Sequence, residues 1–143
     1  MVIPSSDRLH ATTVAIDGVA VMIEGVSGSG KSDLALRLID RGASLVSDDQ
    51  TLVVRSGKIL LARAPATIAG RLEVRGLGIL AMPHVEDVPV GLLVSLDAAI
   101  DRMPERRLRR IAGIDVRQVA VDPFHASAPI KVELALRNPE PLA

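Results

Sequence analysis

The fold is decided by residues 19–42, which read VAVMIEGVSGSGKSDLALRLIDRG. The first five residues are an apolar, partly β-branched run, typical of a buried strand. Residues 25–32 then fit the P-loop pattern for nucleotide phosphates, G-x-x-x-x-G-K-[ST]. From Ser32 to Arg41 the apolar positions recur at helical spacing, and Gly42 follows as a stop signal. The stretch therefore predicts a strand, a phosphate-binding loop and a helix in succession.

Each fixed residue of the P-loop has a chemical reason. Glycine lets the backbone curl so that successive N–H groups face phosphate oxygens. Lys31 supplies positive charge for the β- and γ-phosphates, the Ser32 hydroxyl can bind Mg²⁺, and the helix N-terminus favours anions. The predicted nucleotide-binding residues are Gly25, Val26, Ser27, Gly28, Ser29, Gly30, Lys31 and Ser32. A coincidental Gly/Ser turn is the alternative, which the flanking strand and helix patterns disfavour.

Strand patterns lie on both sides of this stretch. Upstream, residues 12–16 are predicted to form a hairpin with residues 19–23 across Asp17-Gly18. Downstream, residues 43–47 predict a short buried strand, and residues 51–62 predict a second hairpin around Ser56-Gly57. This order of elements indicates an α/β fold, a P-loop domain with a mixed β-sheet and β-hairpins.

The second half of the chain has a weaker pattern. Residues 91–96 form a continuous apolar run, typical of a strand in the middle of a sheet. A third hairpin is predicted over residues 107–121, and glycines and prolines indicate loops and short elements over residues 64–90. Residues 130–136 fit either a helix or a strand.

The length of 143 residues indicates one domain. No internal repeat or linker divides the chain. We expect a loose N-terminus over residues 1–8, one P-loop domain over residues 9–137, and a short tail over residues 138–143.

Composition excludes several classes of protein. An apolar content of 48% indicates a globular chain, and zero cysteines exclude disulfide scaffolds, thiol nucleophiles and thiolate zinc sites. A formal net charge of +0 and a single aromatic residue, Phe124, argue against nucleic-acid binding. No apolar run approaches the ~20 residues of a membrane-spanning helix, and no signal-peptide pattern starts the chain. We therefore expect a cytoplasmic protein without nucleic-acid or membrane partners.

Acidic residues and a histidine are candidates for the chemistry. Asp48 and Asp49 follow the predicted strand after the helix, where P-loop proteins commonly support Mg²⁺. Adjacent side chains on an extended chain point to opposite faces, so one carboxylate can face the phosphates while the other supports the backbone. A turn-forming Asp pair is the alternative. His10 precedes the first predicted strand, and a lone histidine is more often structural than catalytic.

Together these segments resemble the catalytic domain of bacterial HPr kinase/phosphorylase, over roughly residues 9–136. The matching segments, in chain order, are His10-Ala11-Thr12, the P-loop with Asp33 after it, Arg41-Gly42, Leu45-Val46-Ser47-Asp48-Asp49 and Glu73-Val74-Arg75-Gly76-Leu77-Gly78-Ile79. The resemblance implies an enzyme that uses ATP and Mg²⁺ to phosphorylate a serine of HPr, the small carrier of the sugar phosphotransferase system. It also implies phosphorolysis, in which inorganic phosphate attacks phosphoserine and pyrophosphate is released.

The resemblance also implies roles for individual residues. Lys31 and Ser32 match the family's phosphate-binding lysine and metal-binding hydroxyl, and Glu73 matches a second metal-binding position. Asp49 matches the proton acceptor of phosphorylation, which is the proton donor of the reverse reaction. His10 matches the histidine that works beside that aspartate.

Two later segments match the family less closely. Arg102 resembles a later active-site arginine that would offset charge on the transferring phosphoryl group, and a solvated or interface charge is the alternative. Residues 121–126 stand where the family has a basic loop linked to dephosphorylation. Asp122 and Phe124 replace that basic character, so the reverse reaction stays open.

The expected partners follow from the same resemblance. They are ATP, an HPr-like phosphocarrier and, for the reverse reaction, inorganic phosphate and pyrophosphate. The family forms hexamers, so we expect a homo-oligomer, and the basic run 105–110 is either a subunit or docking contact or an exposed charged hairpin. The early start of the chain indicates a short form without the family's N-terminal domain. A P-loop kinase of a small metabolite and an inactive nucleotide-dependent regulator are the competing hypotheses.

Overall fold

Strands dominate the chain. In the computed structural model, which describes residues 5–140, there are eleven strands and two α-helices. The strands are β1 Ser6–Leu9, β2 Ala11–Ile16, β3 Val19–Glu24, β4 Ser44–Ser47, β5 Thr51–Ser56, β6 Ile59–Arg63, β7 Arg71–Val74, β8 Gly78–Ala81, β9 Val88–Ser95, β10 Arg107–Ile111 and β11 Ile114–Ala120. The helices are α1 Lys31–Asp40 and α2 Ala128–Arg137, and a short 3-10 helix covers Ala66–Ile68.

Nine of these strands form one mixed sheet. Its order is β1-β5-β6-β9-β3-β2-β4, with β11 paired to β9 and β10 paired to β11. β3 and β11 run parallel to β9, whereas β2 runs antiparallel to both β3 and β4. β7 and β8 form a separate antiparallel pair. The α/β domain with a mixed sheet and hairpins, predicted from the sequence, is confirmed.

The central strands contribute to a core on each face of the sheet, because successive side chains alternate in direction. On one face, Val21 and Leu92 pack in a cluster with Leu34 and Leu38 of α1. The opposite core includes Met22, Val53, Leu60, Leu93 and Val116. Burial of each large aliphatic side chain contributes about 2 kcal/mol relative to exposure. Helix α1 is therefore held by its apolar face, and the P-loop in front of it is anchored at both ends.

Two of the predicted hairpins close with tight turns in the left-handed region. Asp17 and Gly18, between β2 and β3, have φ angles of 51° and 77°. Ala112 and Gly113, between β10 and β11, have φ angles of 48° and 84°. Two consecutive residues with positive φ suit the right-handed twist of the flanking strands. The turn of the third predicted hairpin therefore consists of Ala112 and Gly113, and β11 begins at Ile114.

The prediction of a loose N-terminus is wrong for residues 6–8. Strand β1 pairs antiparallel with β5, from Ser6 opposite Val54 to Leu9 opposite Thr51. Because the pairing uses backbone N–H and C=O groups, it forms although the side chains of this segment are mostly polar. Residues 1–4 of the predicted loose terminus and residues 141–143 of the predicted short tail lie outside the described part of the chain.

At the C-terminal end, the segment left open between helix and strand lies in α2. Proline occupies an early position of this helix, where its missing N–H costs nothing. Neither helix between residues 5 and 140 is long and apolar enough to cross a membrane.

Pairing directions bring several loops to one edge of the sheet. β3, β4, β9 and β11 all point toward this edge, and the antiparallel β2 starts there, between β3 and β4. Four segments leave these strand ends: the P-loop, Asp48-Asp49, residues 96–106 and residues 121–127. Ligands of α/β sheets bind outside the carboxyl ends of parallel strands, so the candidate site lies here.

Candidate active site

The P-loop has the tight backbone that its glycines predict. Gly28 and Gly30 have φ angles of 79° and 100°, which side chains rarely adopt. A Cβ atom on Gly25 would collide with the Ser29 hydroxyl. Lys31 Nζ donates hydrogen bonds to the carbonyl oxygens of Gly25 (2.8 Å) and Val26 (3.2 Å). The lysine is thus held over the loop that would hold phosphate.

Asp48 connects three elements at the site. Its Oδ1 accepts hydrogen bonds from the hydroxyls of Ser32 (2.6 Å) and Thr12 (3.0 Å), and its Oδ2 accepts one from the backbone N–H of Glu73 (2.9 Å). The residue is only 8% exposed. The buried carboxylate is therefore fully engaged, with one partner in α1, one in β2 and one in β7.

Asp49 points into a different environment. His10 Nε2 lies 2.7 Å from Asp49 Oδ1, and both side chains are more than half exposed. Asp49 has a φ angle of 67°, and its backbone N–H donates a hydrogen bond of 3.0 Å to Thr12 Oγ1. Because the carboxylate can only accept, the imidazole carries the proton on Nε2. As expected from the sequence, the two aspartate side chains lie in different environments. Asp48 accepts a backbone N–H, from Glu73, and two hydroxyl groups besides.

A cavity of about 530 Å³, the main cavity, lies in front of the P-loop. The P-loop, the first two turns of α1, Asp49, residues 73–75 and the pair Pro123-Phe124 line it. Lys31, Ser32, Asp49 and Glu73, four of the residues singled out from the sequence, therefore share one cavity. His10 reaches the cavity through its bond to Asp49.

Arg102 is placed elsewhere. It lies on the exposed segment between β9 and β10 and is not among the described residues that line the main cavity. The structure therefore does not bring it together with the other site residues.

The chemistry of the donor set fits Mg²⁺. Ser32 donates its hydroxyl proton to Asp48, which leaves the oxygen lone pairs free for a cation. Among the described residues, no group of three or more His, Cys, Asp or Glu side chains could hold a metal alone. That is usual for Mg²⁺, which keeps several waters and binds through one or two protein oxygens plus substrate phosphates. Ser32 and Glu73, the two metal-binding residues expected from the sequence, line the main cavity and could hold it here.

The segment 121–126 packs against the P-loop. Arg37 of α1 donates from Nη2 to the carbonyl oxygen of Pro123 and from Nη1 to that of His125 (3.3 Å). Pro123 is buried, and its Cβ lies 3.3 Å from where a Cβ on Gly30 would stand. Phe124 is 81% exposed. Sequence reasoning identified this segment as unusual but did not anticipate its tie to Arg37.

Two acidic residues at the base of the P-loop were missed by sequence reasoning. Asp97 Oδ2 accepts the backbone N–H of Val26 at 2.9 Å. Glu24 forms a two-pronged ion pair with Arg109 of β10, with N···O distances of 2.7 and 3.0 Å. The hydrogen bonds to Glu24 raise the pKa of Arg109 above its ordinary value. Both contacts span many residues of sequence, so no local pattern could have revealed them.

Comparison with known proteins places this site in a family. Residues 3–87 match the model of the HPr Serine kinase C-terminal domain. The chain belongs to this family. Its P-loop, Asp48-Asp49 pair and the β7 segment all lie within the matched residues.

Individual relatives extend the match. The HPr kinase/phosphorylase of Clostridium tetani is 35% identical over 127 residues, covering 80% of this chain and 42% of the relative. That of Mycoplasma genitalium is 33% identical over 124 residues, covering 76% and 40%. The solved structure of the Hpr(Ser) kinase/phosphatase from Coxiella burnetii superposes with a TM-score of 0.81 at 31% identity, covering 92% of this chain and 95% of that chain. The chain thus spans about two fifths of the length of both curated relatives, and the predicted P-loop fold is confirmed.

Proposed function

We propose that this chain is an ATP- and Mg²⁺-dependent protein-serine kinase whose acceptor is an HPr-like phosphocarrier. The observation that carries the proposal is the position of Asp49, in the wall of the main cavity beside the P-loop and bonded to His10. A P-loop binds nucleotide phosphates, and a carboxylate beside it adds a proton acceptor for a hydroxyl group. The family membership supports a serine of an HPr-like carrier as that hydroxyl.

Asp49 and His10 divide the proton chemistry. His10 engages Oδ1 of Asp49, so Oδ2 is the oxygen open to an acceptor. As the seryl oxygen attacks the γ-phosphorus, the bond between that phosphorus and the bridging oxygen breaks, ADP leaves, and the seryl proton passes to Asp49. General-base catalysis of this kind contributes about 10²- to 10⁴-fold in rate. Bound Mg²⁺ would neutralise charge on the phosphates.

To bind phosphate, Lys31 must give up the hydrogen bonds that it makes in the free protein. Its ammonium now bonds two loop carbonyls, of Gly25 and Val26. A nucleotide phosphate offers a charged acceptor in their place, and charge-assisted hydrogen bonds are about twice as strong as neutral ones. The lysine therefore turns from the carbonyls to the β- and γ-phosphates when ATP binds.

The reverse reaction uses the same pair. A phosphate oxygen attacks the phosphorus of phosphoserine, the bond to the seryl oxygen breaks, pyrophosphate forms, and protonated Asp49 returns its proton to the seryl oxygen. Both curated relatives are named HPr kinase/phosphorylase. Asp122 and Phe124 line a cavity together with the P-loop residues Gly28 and Ser29, and they stand where the family has a basic loop linked to dephosphorylation. Pyrophosphate release from a phosphoserine carrier and inorganic phosphate is therefore the measurement that decides whether this chain runs the reverse reaction.

Arg102 enters the proposal as a residue that acts when the carrier is bound. Its exposed segment, residues 96–106, leaves the same sheet edge as the P-loop, so a carrier docked there lies beside it. Arg102→Ala is expected to lower kcat for carrier phosphorylation by at least about tenfold. The neighbouring Arg106→Ala is the matched control, and equal rates for the two variants would remove Arg102 from the site.

Assembly and location complete the proposal. A homo-oligomer, a hexamer by family resemblance, is supported by the exposed apolar side chains of the β7–β8 hairpin, Leu77 at 71% and Ile79 at 68% exposure. Light scattering after gel filtration measures the number of subunits. We propose a cytoplasmic location, which the proposed substrates, ATP and a phosphocarrier, support. No contact among the described residues favours the small-metabolite kinase.

The deciding experiment uses γ-labelled ATP, Mg²⁺ and a purified HPr. The wild-type chain is expected to transfer label to a serine of the carrier. Asp49→Asn, which keeps the shape but cannot accept a proton, is expected to lose at least about 10²-fold in rate while it still binds ATP. Asp115→Asn, an exposed carboxylate on β11 that pairs with Arg110, is the matched control. Absence of labelling by the wild type, or full activity of Asp49→Asn, would refute the proposal.

A further inference from the structure

Phe124 is the single aromatic residue of the chain and is placed unusually for one. Its ring is 81% exposed, although burial of an aromatic ring is among the largest apolar contributions to a fold. The residue lines both the main cavity and a second cavity of about 370 Å³. A large exposed ring at the boundary of two cavities is available to a ligand.

The loop around Phe124 is fixed although the ring is exposed. The Phe124 N–H donates a hydrogen bond of 2.9 Å to Asp122 Oδ1, and His125 Nε2 lies 3.4 Å from Asp122 Oδ2. Arg37 holds the carbonyl oxygens on both sides of the residue. The ring is therefore presented by an ordered backbone, which lowers the entropy that a ligand must overcome.

The second cavity differs from the main cavity in chemistry. Its walls are the P-loop residues Gly28 and Ser29, four apolar or proline side chains and Phe124, and its charged members are Asp97 and Asp122. No lysine or arginine is among the described residues that line it. Carboxylates repel phosphate and accept hydrogen bonds from amino groups, so this cavity suits an apolar ring system with amino substituents and disfavours phosphate.

The orientation of a nucleotide on the P-loop leads to the same cavity. In the proposed reaction the terminal phosphate faces Asp49 and Glu73, which lie in the main cavity. The rest of the nucleotide extends away from these carboxylates. The second cavity shares Gly28 and Phe124 with the main cavity and lies on the side without Asp49, so a chain of phosphates across the loop leads into it.

We propose that the second cavity is the nucleobase subsite of this protein and that the base stacks on Phe124. The inference rests on the proposed function, because it takes the phosphates to lie on the P-loop. Leu96 and Ile100 provide apolar surface in the same cavity as the ring, and Ile100 is 56% exposed. Stacking of a base on an aromatic side chain contributes about 1–3 kcal/mol by alanine substitution.

The test compares nucleotides with a ligand that has phosphates but no base. Dissociation constants for ATP, ADP and inorganic tripolyphosphate are measured calorimetrically with Mg²⁺ present. Phe124→Ala is expected to weaken ATP and ADP at least about fivefold and to leave tripolyphosphate within about twofold. Phe124→Tyr, which keeps the ring, is expected to bind ATP like the wild type. Leu108→Ala removes an equally accessible apolar side chain, 53% exposed on β10, and is the control.

Each other outcome overturns the inference. Equal ATP affinity of Phe124→Ala and wild type removes the ring from the nucleotide site, and an accompanying rise in KM for the carrier would assign it to the protein acceptor. An equal loss for tripolyphosphate would mean that the substitution disturbs the P-loop. If the wild type binds both tripolyphosphate and ATP, and Phe124→Ala does not weaken ATP, the subsite is refuted but the proposed kinase function stands. If the wild type binds neither, both proposals fall.

Discussion

The Ser32 hydroxyl donates a hydrogen bond of 2.6 Å to Asp48 Oδ1, which joins the P-loop helix to the end of β4. This bond fixes the direction of the serine proton, so the oxygen lone pairs face away from the buried carboxylate. Asp48 in turn is held by Thr12 and by the backbone of Glu73. The proposed metal ligand is therefore oriented before any metal binds.

The first prediction concerns this bond and Mg²⁺. Ser32→Ala removes the hydroxyl, and we expect at least a tenfold rise in the Mg²⁺ concentration for half-maximal kinase rate, in line with losses of about 10- to 100-fold for disturbed metal sites. Ser32→Thr keeps the hydroxyl and is expected to retain the wild-type Mg²⁺ dependence. Initial rates at a series of Mg²⁺ concentrations measure the effect. Equal Mg²⁺ dependence of the alanine variant and wild type would exclude Ser32 as a metal ligand.

The second prediction concerns Thr12, a positioning residue for both aspartates. Its buried hydroxyl donates to Asp48 and accepts the N–H of Asp49, both at 3.0 Å. Thr12→Val leaves these groups without their partner, so we expect the free energy of unfolding to fall by about 1–3 kcal/mol. We also expect kcat to fall at least about tenfold with little change in KM for ATP, because Asp49 loses its orientation.

Urea denaturation and steady-state kinetics measure the two effects. Thr12→Ser keeps the hydroxyl and is expected to recover most of the kcat. If the serine and valine variants had the same kcat, the hydroxyl would have no part in positioning Asp49.

Local patterns were sufficient for much of this fold. The runs around Asp17-Gly18 and the P-loop specify their own geometry, because hairpin turns and helix stops depend on neighbouring residues. Contacts across the chain were not accessible in this way. The bond of Arg37 to the segment 121–126 and that of Asp97 to Val26 join residues that are 86 and 71 positions apart.

The candidate site shows the same division. Lys31, Ser32 and Asp49 were found through motif and resemblance, and the structure brings them to one cavity. The separate roles of Asp48 and Asp49 depend on the Thr12 hydroxyl. Thr12 lies in a segment that matches the family, but no role of its side chain followed from that match. Strand β1 was missed for a related reason, since its pairing with β5 is decided by backbone hydrogen bonds and not by an apolar pattern.

The third prediction concerns the pH dependence of the Glu24–Arg109 ion pair. The hydrogen bonds to Glu24 raise the pKa of Arg109 above its ordinary value. A raised pKa of a basic group stabilises the fold at every pH below the unfolded value and loses this contribution only as pH rises through the folded value. The contribution of Arg109 is therefore constant through neutral and moderately alkaline pH.

The variant Arg109→Met tests this constancy. Because the pair is partly exposed, we expect a loss on the order of 1 kcal/mol, with the same decrease in Tm at about pH 7 and about pH 9. Arg107→Met, on the same strand, is the control and should change Tm little, because the ion pair of Arg107 with Asp101 is long, at 3.8 Å. A decrease for Arg109→Met that shrinks between the two pH values would contradict the argument.

The last prediction concerns the tie between α1 and the segment 121–126. Arg37 is the donor to two carbonyl oxygens of that segment, at Pro123 and His125. Arg37→Met keeps an unbranched side chain but removes both hydrogen bonds. The free energy of opening the segment therefore falls by about 1–3 kcal/mol, which raises the open population about 5- to 150-fold. Chymotrypsin prefers aromatic residues, and Phe124 is the single one in the chain, so cleavage after Phe124 is expected to accelerate by a similar factor.

The control is Arg110→Met, which breaks an exposed ion pair with Asp115 in the β10–β11 hairpin and should leave the cleavage rate unchanged. Mass spectrometry of the fragments identifies the cut, and equal rates for Arg37→Met and wild type would show that other contacts hold the segment against the P-loop.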